Sequence, residues 1–587
     1  MWPFSTTQYP ALSVDQVGIP LDTTDTQAQV KNTTYDYIVV GGGTAGCCLA
    51  SRLSENPAVS VLVLERGGVN DAWFSRIPLI SGDVTSKSTP IVRASSAPLS
   101  CADGQIVDIV HAETLGGGSS VNAMLVTRGA VGDFNHWAEL GHPSWDYASL
   151  KPYFIKSEKS LSQHSDGHGH SGPWVNQNFP QLPFEVQRQV KDAALALGFP
   201  DVHDFNGSDV PVNVCATMDA AIDSKMRRVS TYHAFLPSEI ARKRRSHLKV
   251  CTWAVATRVE FDAGVAVGVV FESSNKSIPG TFYARASKEI VICCGAFGSP
   301  QLLLLSGIGA KEHLQVHGIK AISDLPGVGA HLQDHVGLPL MYEVPLKHTL
   351  HHTENSMLKG LLELVKYLIM GKGIMASTVS PMSLFTHSAH IDEKTAAIID
   401  PIPSGGTGTN RPDLEIMTIA HWCSDPPPYK ITMGVFSFLT CVVQPKSVGS
   451  VCLASGDPHA RPIVDLGFFT DPADYIPLRK GIKLCLRLAE DVRRQGYPMK
   501  AFQVPSSEKE SDVDQFIRAT IRTSYHYASS CRMASRQEGG VVDDELRVYG
   551  VRGLRVCDAS VFPCITTAHT QAPVVAVAEK CADLMKI

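Results

Sequence analysis

The segment Gly41-Gly42-Gly43-Thr44-Ala45-Gly46 follows the apolar run YDYIVV and precedes CCLASRLSENP. It fits the pattern GxGxxG between a strand and a helix. In that pattern Gly41 allows the tight turn, Gly43 lets backbone approach a pyrophosphate, and Gly46 packs helix on strand. The helix N-terminus then offers free N–H groups to the phosphates. The next apolar run, VSVLVL, ends at Glu65, whose carboxylate can accept from ribose hydroxyls and repels a 2′-phosphate. The chemistry is dinucleotide binding, and the motif alone does not separate FAD from NAD.

Two other stretches carry reactive or permissive residues. HAETLGGGSSVNAMLVTRG (111–129) places Gly116, Gly117 and Gly118 together, so backbone can approach a flat or charged ligand closely; a plain tight loop reads the same way. Near the C-terminus TTAHTQAP puts His569 just before a helix whose first turn holds Pro573, a preferred position for proline. Imidazole titrates closest to neutrality, so His569 is either a loop residue or a proton carrier. The tracts HSDGHGHSG (His164, His168, His170) and KHTLHHTEN (His348, His351, His352) lack a metal-ligand spacing and read as solvated loops, the second with an access-loop role open. No metal is expected.

The elements that must position these groups follow from hydrophobic periodicity. Residues 35–65 read strand, turn, helix and strand, the start of a βαβ unit. FEVQRQVKDAALALG is an amphipathic helix, strand-like runs return at 248–271 and 288–294, and PLRKGIKLCLRLAEDVRR is a second long helix. GAFGSPQLLLLSGIG reads as a buried helix starting at Ser299-Pro300 and ending at Ser306-Gly307. A Pro-rich loop falls at SDPPPYK, and the last residues give a short strand, LRVCD, and a final helix with Val574, Val577, Ala578, Cys581 and Met585 on one apolar face. The order suggests one discontinuous domain interrupted by pieces of another.

Composition narrows the class. A chain of 587 residues exceeds what one core usually organises, so two domains are expected. A net charge of −5 leaves no footprint for nucleic acid, and the basic run ARKRRSH reads as a loop before a strand. Fifteen cysteines without a CxxC pair fit buried, reduced thiols. The first 34 residues lack a basic start and an apolar core, so no secretory signal is expected and a cytoplasmic location is. Sequons at Asn32, Asn206 and Asn275 would matter only on secretion. The run GLLELVKYLIMGKGIMA is too short and too interrupted to span a bilayer and reads as a partly exposed or interface helix.

Five runs in order, DYIVVGGGTAG, LGGGSSVNAM, GAFGSPQLLLLSGIG, LPGVGAHLQDH and SYHYASSCRM…LRVCDASVFP…AHTQAP, resemble the glucose–methanol–choline (GMC) oxidoreductases from about residue 35 to the end. The resemblance is to the fungal alcohol-oxidase and aryl-alcohol-oxidase-like branch. It implies an α/β fold: a Rossmann-like FAD-binding domain (35–70, 105–150, 241–340 and 536–587) with a discontinuous α+β substrate-binding domain (151–240 and 341–535). It implies that Gly41, Gly43, Thr44, Ala45 and Gly46 hold the FAD diphosphate and Glu65 the adenosine ribose. Gly118, Asn122, Ala123 and Leu125 would line the isoalloxazine, Ala256 would meet the adenine, and Asp558 and Ala559 the pyrophosphate–ribityl part. Thr570 and Gln571 would lie by the flavin pyrimidine, with the helix N-terminus aimed there. His526 and His569 match the catalytic pair. Three local runs depart from the family: HYASS stands for His-Pro-Val-Gly-Thr, His111 for a common Arg, and HLQDH for NLQDH.

The activity so implied is oxidation of a primary alcohol, an apolar or aromatic metabolite, to the aldehyde. A base takes the hydroxyl proton while hydride goes to flavin N5. The expectation makes His526 the main base and His569 its hydrogen-bonding partner, with the reverse assignment open. The electron acceptor is oxygen or a quinone, and the protein a monomer or homodimer. Two rivals stay open: a flavin enzyme of secondary metabolism with net non-redox chemistry (hydroxynitrile lyase, cyclase or decarboxylase), and a flavin-binding protein without catalysis.

Overall fold

The computed structural model describes residues 8–21, 33–82, 89–179, 182–399, 411–423 and 431–586. The Pro-rich run at 424–430 and the sequon at Asn32 lie outside them. Two large sheets dominate. In the first, strands Leu248–Cys251, Val61–Leu64, Thr34–Val40 and the end of Thr281–Ile292 lie side by side and parallel, and Leu554–Val556 pairs on the far side of Ile290–Ile292. Their central stretches, 38–40, Val61–Leu64 and 290–292, are apolar and buried, as strands covered on both faces must be. The first half of Thr281–Ile292 continues into an antiparallel layer with Val265–Ser273 and Ala254–Asp262. Ile19 and Pro20 also join this strand, an attachment that sequence periodicity did not suggest.

Helix Thr44–Leu53 leaves strand Thr34–Val40 through the glycine turn, and the terminal helix Gln571–Met585 packs on it. The terminal helix is buried all round, not on the one expected face. Its charged residues are accommodated by partners: Glu579 accepts from the Arg52 guanidinium at 2.7–2.9 Å, and the Lys580 ammonium sits 4.1 Å from the centre of the Trp145 ring. The helix expected to start at Ser299-Pro300 begins earlier, at Gly295. Pro300 sits inside it and cannot donate to the Ala296 carbonyl; the Ser530 hydroxyl donates there instead, at 2.6 Å.

The second sheet is mainly antiparallel, in the order Lys500–Gln503, Val336–Val344, Gly434–Val442, Leu414–Ile419, Met382–Thr386 and Val214–Thr217. Alternation along Leu414–Ile419 divides its side chains between two faces. Leu414 and Ile416 join the core shared with Leu478, Ile482 and Leu488 of helix Tyr475–Arg494. Glu415, Met417 and Ile419 turn to the opposite face, where the functional cavity lies. We propose that the two-domain division follows these sheets.

Among the described residues no disulfide joins two cysteines, and Cys101 alone of the cysteines is exposed. Among the described residues no helix is long and apolar enough to cross a membrane. The Asn206 amide is buried, donating to the Val126 carbonyl and to Asp219, so that sequon is closed to a glycan.

His168, expected in a solvated loop, is instead a buried tie. Its Nδ1 lies 3.1 Å from Glu158, which also receives Arg128 at 2.7 Å, and its Nε2 lies 3.1 Å from Asp204. Burial disfavours the charged ring, but the hydrogen bonds to Asp204 and Glu158 outweigh it and push its pKa from 6.5 up to about 9. A pKa raised on folding stabilises the charged form. The contribution is therefore complete below pH 6.5 and lost as pH rises through about 9. Melting temperatures of wild type and His168→Gln should differ most at pH 6 and converge above pH 9. A gap that does not change with pH would remove the charge from the explanation.

Candidate active site

A cavity of about 1180 Å³ runs from the glycine turns of the first sheet to the inner face of the second. Of the residues expected to bind cofactor, Gly41, Gly43, Thr44, Ala45, Glu65, Gly118, Asn122, Ala123, Leu125, Ala256, Asp558, Ala559, Thr570 and Gln571 all line it, as do His526 and His569. Gly46 does not; a Cβ there would stand 1.9 Å from the Gly41 carbonyl oxygen, so its part is close packing of helix on turn.

The cradle is built from two glycine turns brought together. A Cβ on Gly117 would meet Gly43 Cα at 2.9 Å, whereas one on Gly118 would find no protein atom within 4 Å and would enter the cavity. Gly43 caps helix Thr44–Leu53 with no side-chain acceptor, which leaves helical N–H groups for an anion. Glu65 is buried and accepts from Gly42 and Gly67 N–H at 2.8 and 2.7 Å, which fixes its carboxylate at the cavity wall. Asp558 likewise serves the protein first: it accepts from Gly295 N–H, Ser299 Oγ and Ser560 N–H and so holds the start of the Gly295–Leu305 helix. Asn122 donates to Gln571 at 2.9 Å, and Gln571 donates to the Leu125 carbonyl at 2.6 Å, joining the second glycine turn to the terminal helix.

Beneath this turn lies Arg228, which sequence reasoning did not single out. It is 1% exposed and donates to Ser81 Oγ, the Ser119 carbonyl and Asn122 Oδ1 at 2.8–3.0 Å. Burial pulls its pKa down to about 9. Open glycine backbone, uncapped helical N–H groups and a buried cation suit a dinucleotide with a pyrophosphate, so the residues present fit FAD.

At the other end the two expected histidines meet: the His526 and His569 rings are 4.7 Å apart, edge to face. His526 follows Tyr525, whose φ of +62° is a strained conformation for a residue with a side chain. The strain is held by Asp334, which accepts from His526 N–H at 2.8 Å and from the Thr523 hydroxyl, and by Thr523 Oγ, which accepts from Tyr525 N–H.

Two partners of the pair were not anticipated. His335 ends the run HLQDH (331–335), whose residue types carry no sign of a role. Its Nδ1 is 2.9 Å from His526 Nδ1, and its Nε2 is 3.0 Å from the Thr566 carbonyl oxygen. A carbonyl only accepts, so His335 Nε2 carries the proton. Burial, with His569 nearby, drives the His335 pKa down to about 3 and keeps the ring neutral. Its Nδ1 must then accept, which places the remaining proton of His526 on Nδ1 and leaves His526 Nε2 as a lone pair. Burial, followed by the charges of His569 and His335, also holds His526 well below the usual imidazole value. The second partner is Glu415, 1% exposed, whose Oε1 is 2.9 Å from His569 Nε2. His569 N–H in turn donates to Thr127 Oγ at 2.7 Å. The sequence signal for Glu415 is a charged residue inside the otherwise uncharged strand Leu414–Ile419.

Farther along the wall, His351, Glu354 and His421 bring ligand atoms within 4.8 Å of one another, a set that could hold a metal ion. His351, expected in a solvated loop, is buried. Trp422 N–H donates to its Nε2 at 3.2 Å, so Nδ1 bears the proton and donates to Glu354 at 2.9 Å. Both nitrogens are thereby used. Burial works against the Glu354 charge, but hydrogen bonds from His351 and His421 hold its carboxyl down at about 2.

Comparison with known proteins matches this architecture. The N-terminal GMC oxidoreductase domain aligns with residues 35–337 and the C-terminal one with 445–578. A dehydrogenase, str4, of Strobilurus tenacellus is 32% identical, with 94% of each chain covered. The oxygen-dependent choline dehydrogenase of Chromohalobacter salexigens is 31% identical over 94% of this chain and 95% of its own. The solved FAD-dependent oxidoreductase of Chaetomium thermophilum superposes with a TM-score of 0.81 at 25% identity, over 94% of this chain and 99% of its own. With the glycine cradle at one end of the cavity and the histidines at the other, the chain belongs to the GMC oxidoreductase family, a flavoprotein oxidoreductase whose cofactor is FAD.

Proposed function

We propose that this oxidoreductase converts a primary alcohol to its aldehyde, with His526 as the base and His569 as its partner. The observation that carries the reading is the proton arrangement from the Thr566 carbonyl through His335 to His526, which leaves His526 Nε2 ready to accept. Bound FAD supplies the acceptor for the hydride leaving the alcohol carbon. The protein supplies the rest. His526 Nε2 takes the hydroxyl proton, and its depressed pKa keeps the ring neutral and available near pH 7. His569, with Nε2–H held by Glu415, offers its other edge to the alcohol oxygen and sets its distance from His526. The N-terminus of the Gln571–Met585 helix lines the cavity and turns its positive end to developing negative charge.

Met417, Ile419, Leu439 and Trp422 on the cavity wall favour an apolar or aromatic alcohol, and a relative named as a choline dehydrogenase supports alcohol chemistry. Oxygen or a quinone would reoxidise the enzyme, working as a monomer or homodimer. The test is anaerobic addition of aliphatic and aromatic alcohols, followed by air or a quinone dye. Bleaching of the flavin spectrum by an alcohol, with aldehyde formed, is the expected result, and peroxide against dye reduction separates the acceptors. Turnover with an unchanged flavin spectrum would defeat the proposal in favour of non-redox chemistry.

A further inference from the structure

Helix Met357–Met370 presents an unusual surface. Ser356 caps its start, accepting from Lys359 N–H, and Gly371 ends it in the left-handed conformation at φ +61°. Among the described residues it is pinned along one narrow edge. Tyr367 is buried against Ile77, Met375 and Ala376 and donates to the Met226 carbonyl at 2.9 Å, and Glu363 accepts from Ile374 N–H at 3.1 Å. The rest of the helix faces out, and what it shows is apolar: Leu358, Leu362 and Ile369 are 67%, 58% and 78% exposed, with Met357, Leu361, Val365 and Leu368 also exposed. At about 100° per residue these side chains cover a continuous arc of about 140°. Lys359 and Lys366, both exposed, follow on one margin of the arc, and exposed Lys372 lies just past the C-terminus. An outward apolar arc bordered by lysines is the layout of a helix that lies in a membrane interface rather than crossing it.

The same helix forms the rim of the cavity. Met357, Gly360, Leu361 and Leu364 line it, and Met357 is also 92% exposed, so cavity and apolar surface are continuous there. We propose that the Met357–Met370 helix docks into the surface of an anionic bilayer and opens the cavity to alcohols dissolved in the lipid. The lysines select the occupant: the arc carries no carboxylate, so packing it on the same arc of a second copy offers Lys359 and Lys366 no counter-charge beyond the Glu363 already 3.6 Å from Lys366, whereas anionic headgroups do. The cargo rests on the alcohol reading above, but docking does not. It is measured without substrate, so either claim can fail while the other stands.

The experiment uses FAD-loaded full-length protein. It is sedimented with vesicles of phosphatidylcholine containing about one-third phosphatidylserine, and with phosphatidylcholine alone. We expect association with the anionic vesicles that weakens as NaCl rises from about 0.1 to 1 M. Leu362→Glu/Ile369→Glu, whose side chains do not line the cavity, should bind at least ~10-fold more weakly. It should also keep its FAD and its activity on a water-soluble alcohol. Lys359→Glu/Lys366→Glu should lose about 30-fold or more on anionic vesicles alone. Unaltered vesicle binding by the leucine–isoleucine variant would overturn the proposal. So would a wild-type protein indifferent to vesicles, whether monomeric or forming a dimer that this variant dissociates; the latter would assign the face to a second copy.

Discussion

Replacing His526 by alanine should slow reduction of the flavin by an alcohol about 10³-fold, within the range a general base contributes. FAD should remain bound. The expectation of retained cofactor follows from the geometry: the glycine cradle at Gly43, Gly117 and Gly118 and the buried Arg228 make no use of the His526 ring. His526 reaches the rest of the protein through its backbone N–H to Asp334 and its Nδ1 to His335, and the first of these survives truncation. Anaerobic rapid mixing reads the reduction rate directly, while the absorbance of the isolated protein reads the FAD content. Reduction at the wild-type rate would remove His526 from the proton transfer and return the role to His569.

The second large effect is expected at His335, which does not act on the alcohol itself. His335→Leu removes the acceptor that keeps the His526 proton on Nδ1. His526 is then free to carry it on Nε2, where it blocks the base. A wrong tautomer at a catalytic histidine costs orders of magnitude, and a loss of about 10²-fold in the reduction rate is expected with little change in KM. His335→Asn can still present an oxygen acceptor and should recover much of the rate. That contrast separates positioning from mere packing, because leucine fills the buried space at least as well as asparagine. Equal losses in the two variants would reduce His335 to a core residue.

The sequence made the cofactor end legible because its signal is local. Gly41, Gly43, Gly46 and Glu65 fall within one strand–turn–helix–strand unit, and steric needs at a tight turn can be met by glycine alone. His526 and His569 were reached through resemblance, since one imidazole among twenty-two carries no intrinsic mark. What stayed hidden was everything set by distant pairing. His335 and His526 are 191 residues apart, and Glu415 and His569 are 154 apart. No spacing rule links them, because strands of the second sheet bring them together. The Gly295–Leu305 helix was misjudged at its start for a related reason: a proline usually marks a helix beginning, and the rescuing hydroxyl of Ser530 lies far along the chain. His168 misled through composition, its glycine-rich surroundings concealing two carboxylates supplied from elsewhere.

The terminal helix has one more consequence, which concerns time. Tyr37, in strand Thr34–Val40, donates to the Met585 carbonyl; Arg52, in helix Thr44–Leu53, is paired with Glu579; and Leu554–Val556 supplies a strand to the first sheet. A ribosome delivers the nucleotide-binding unit about 500 residues before these partners. Until residues 554–585 have been made, that unit holds an apolar helix face, a charged Arg52 and a sheet position that only those residues cover. Long-range closure of this kind is slow and leaves surface open to aggregation. A nascent chain therefore depends on protection until those residues arrive, and a premature stop before residue 554 would leave the nucleotide-binding unit uncovered.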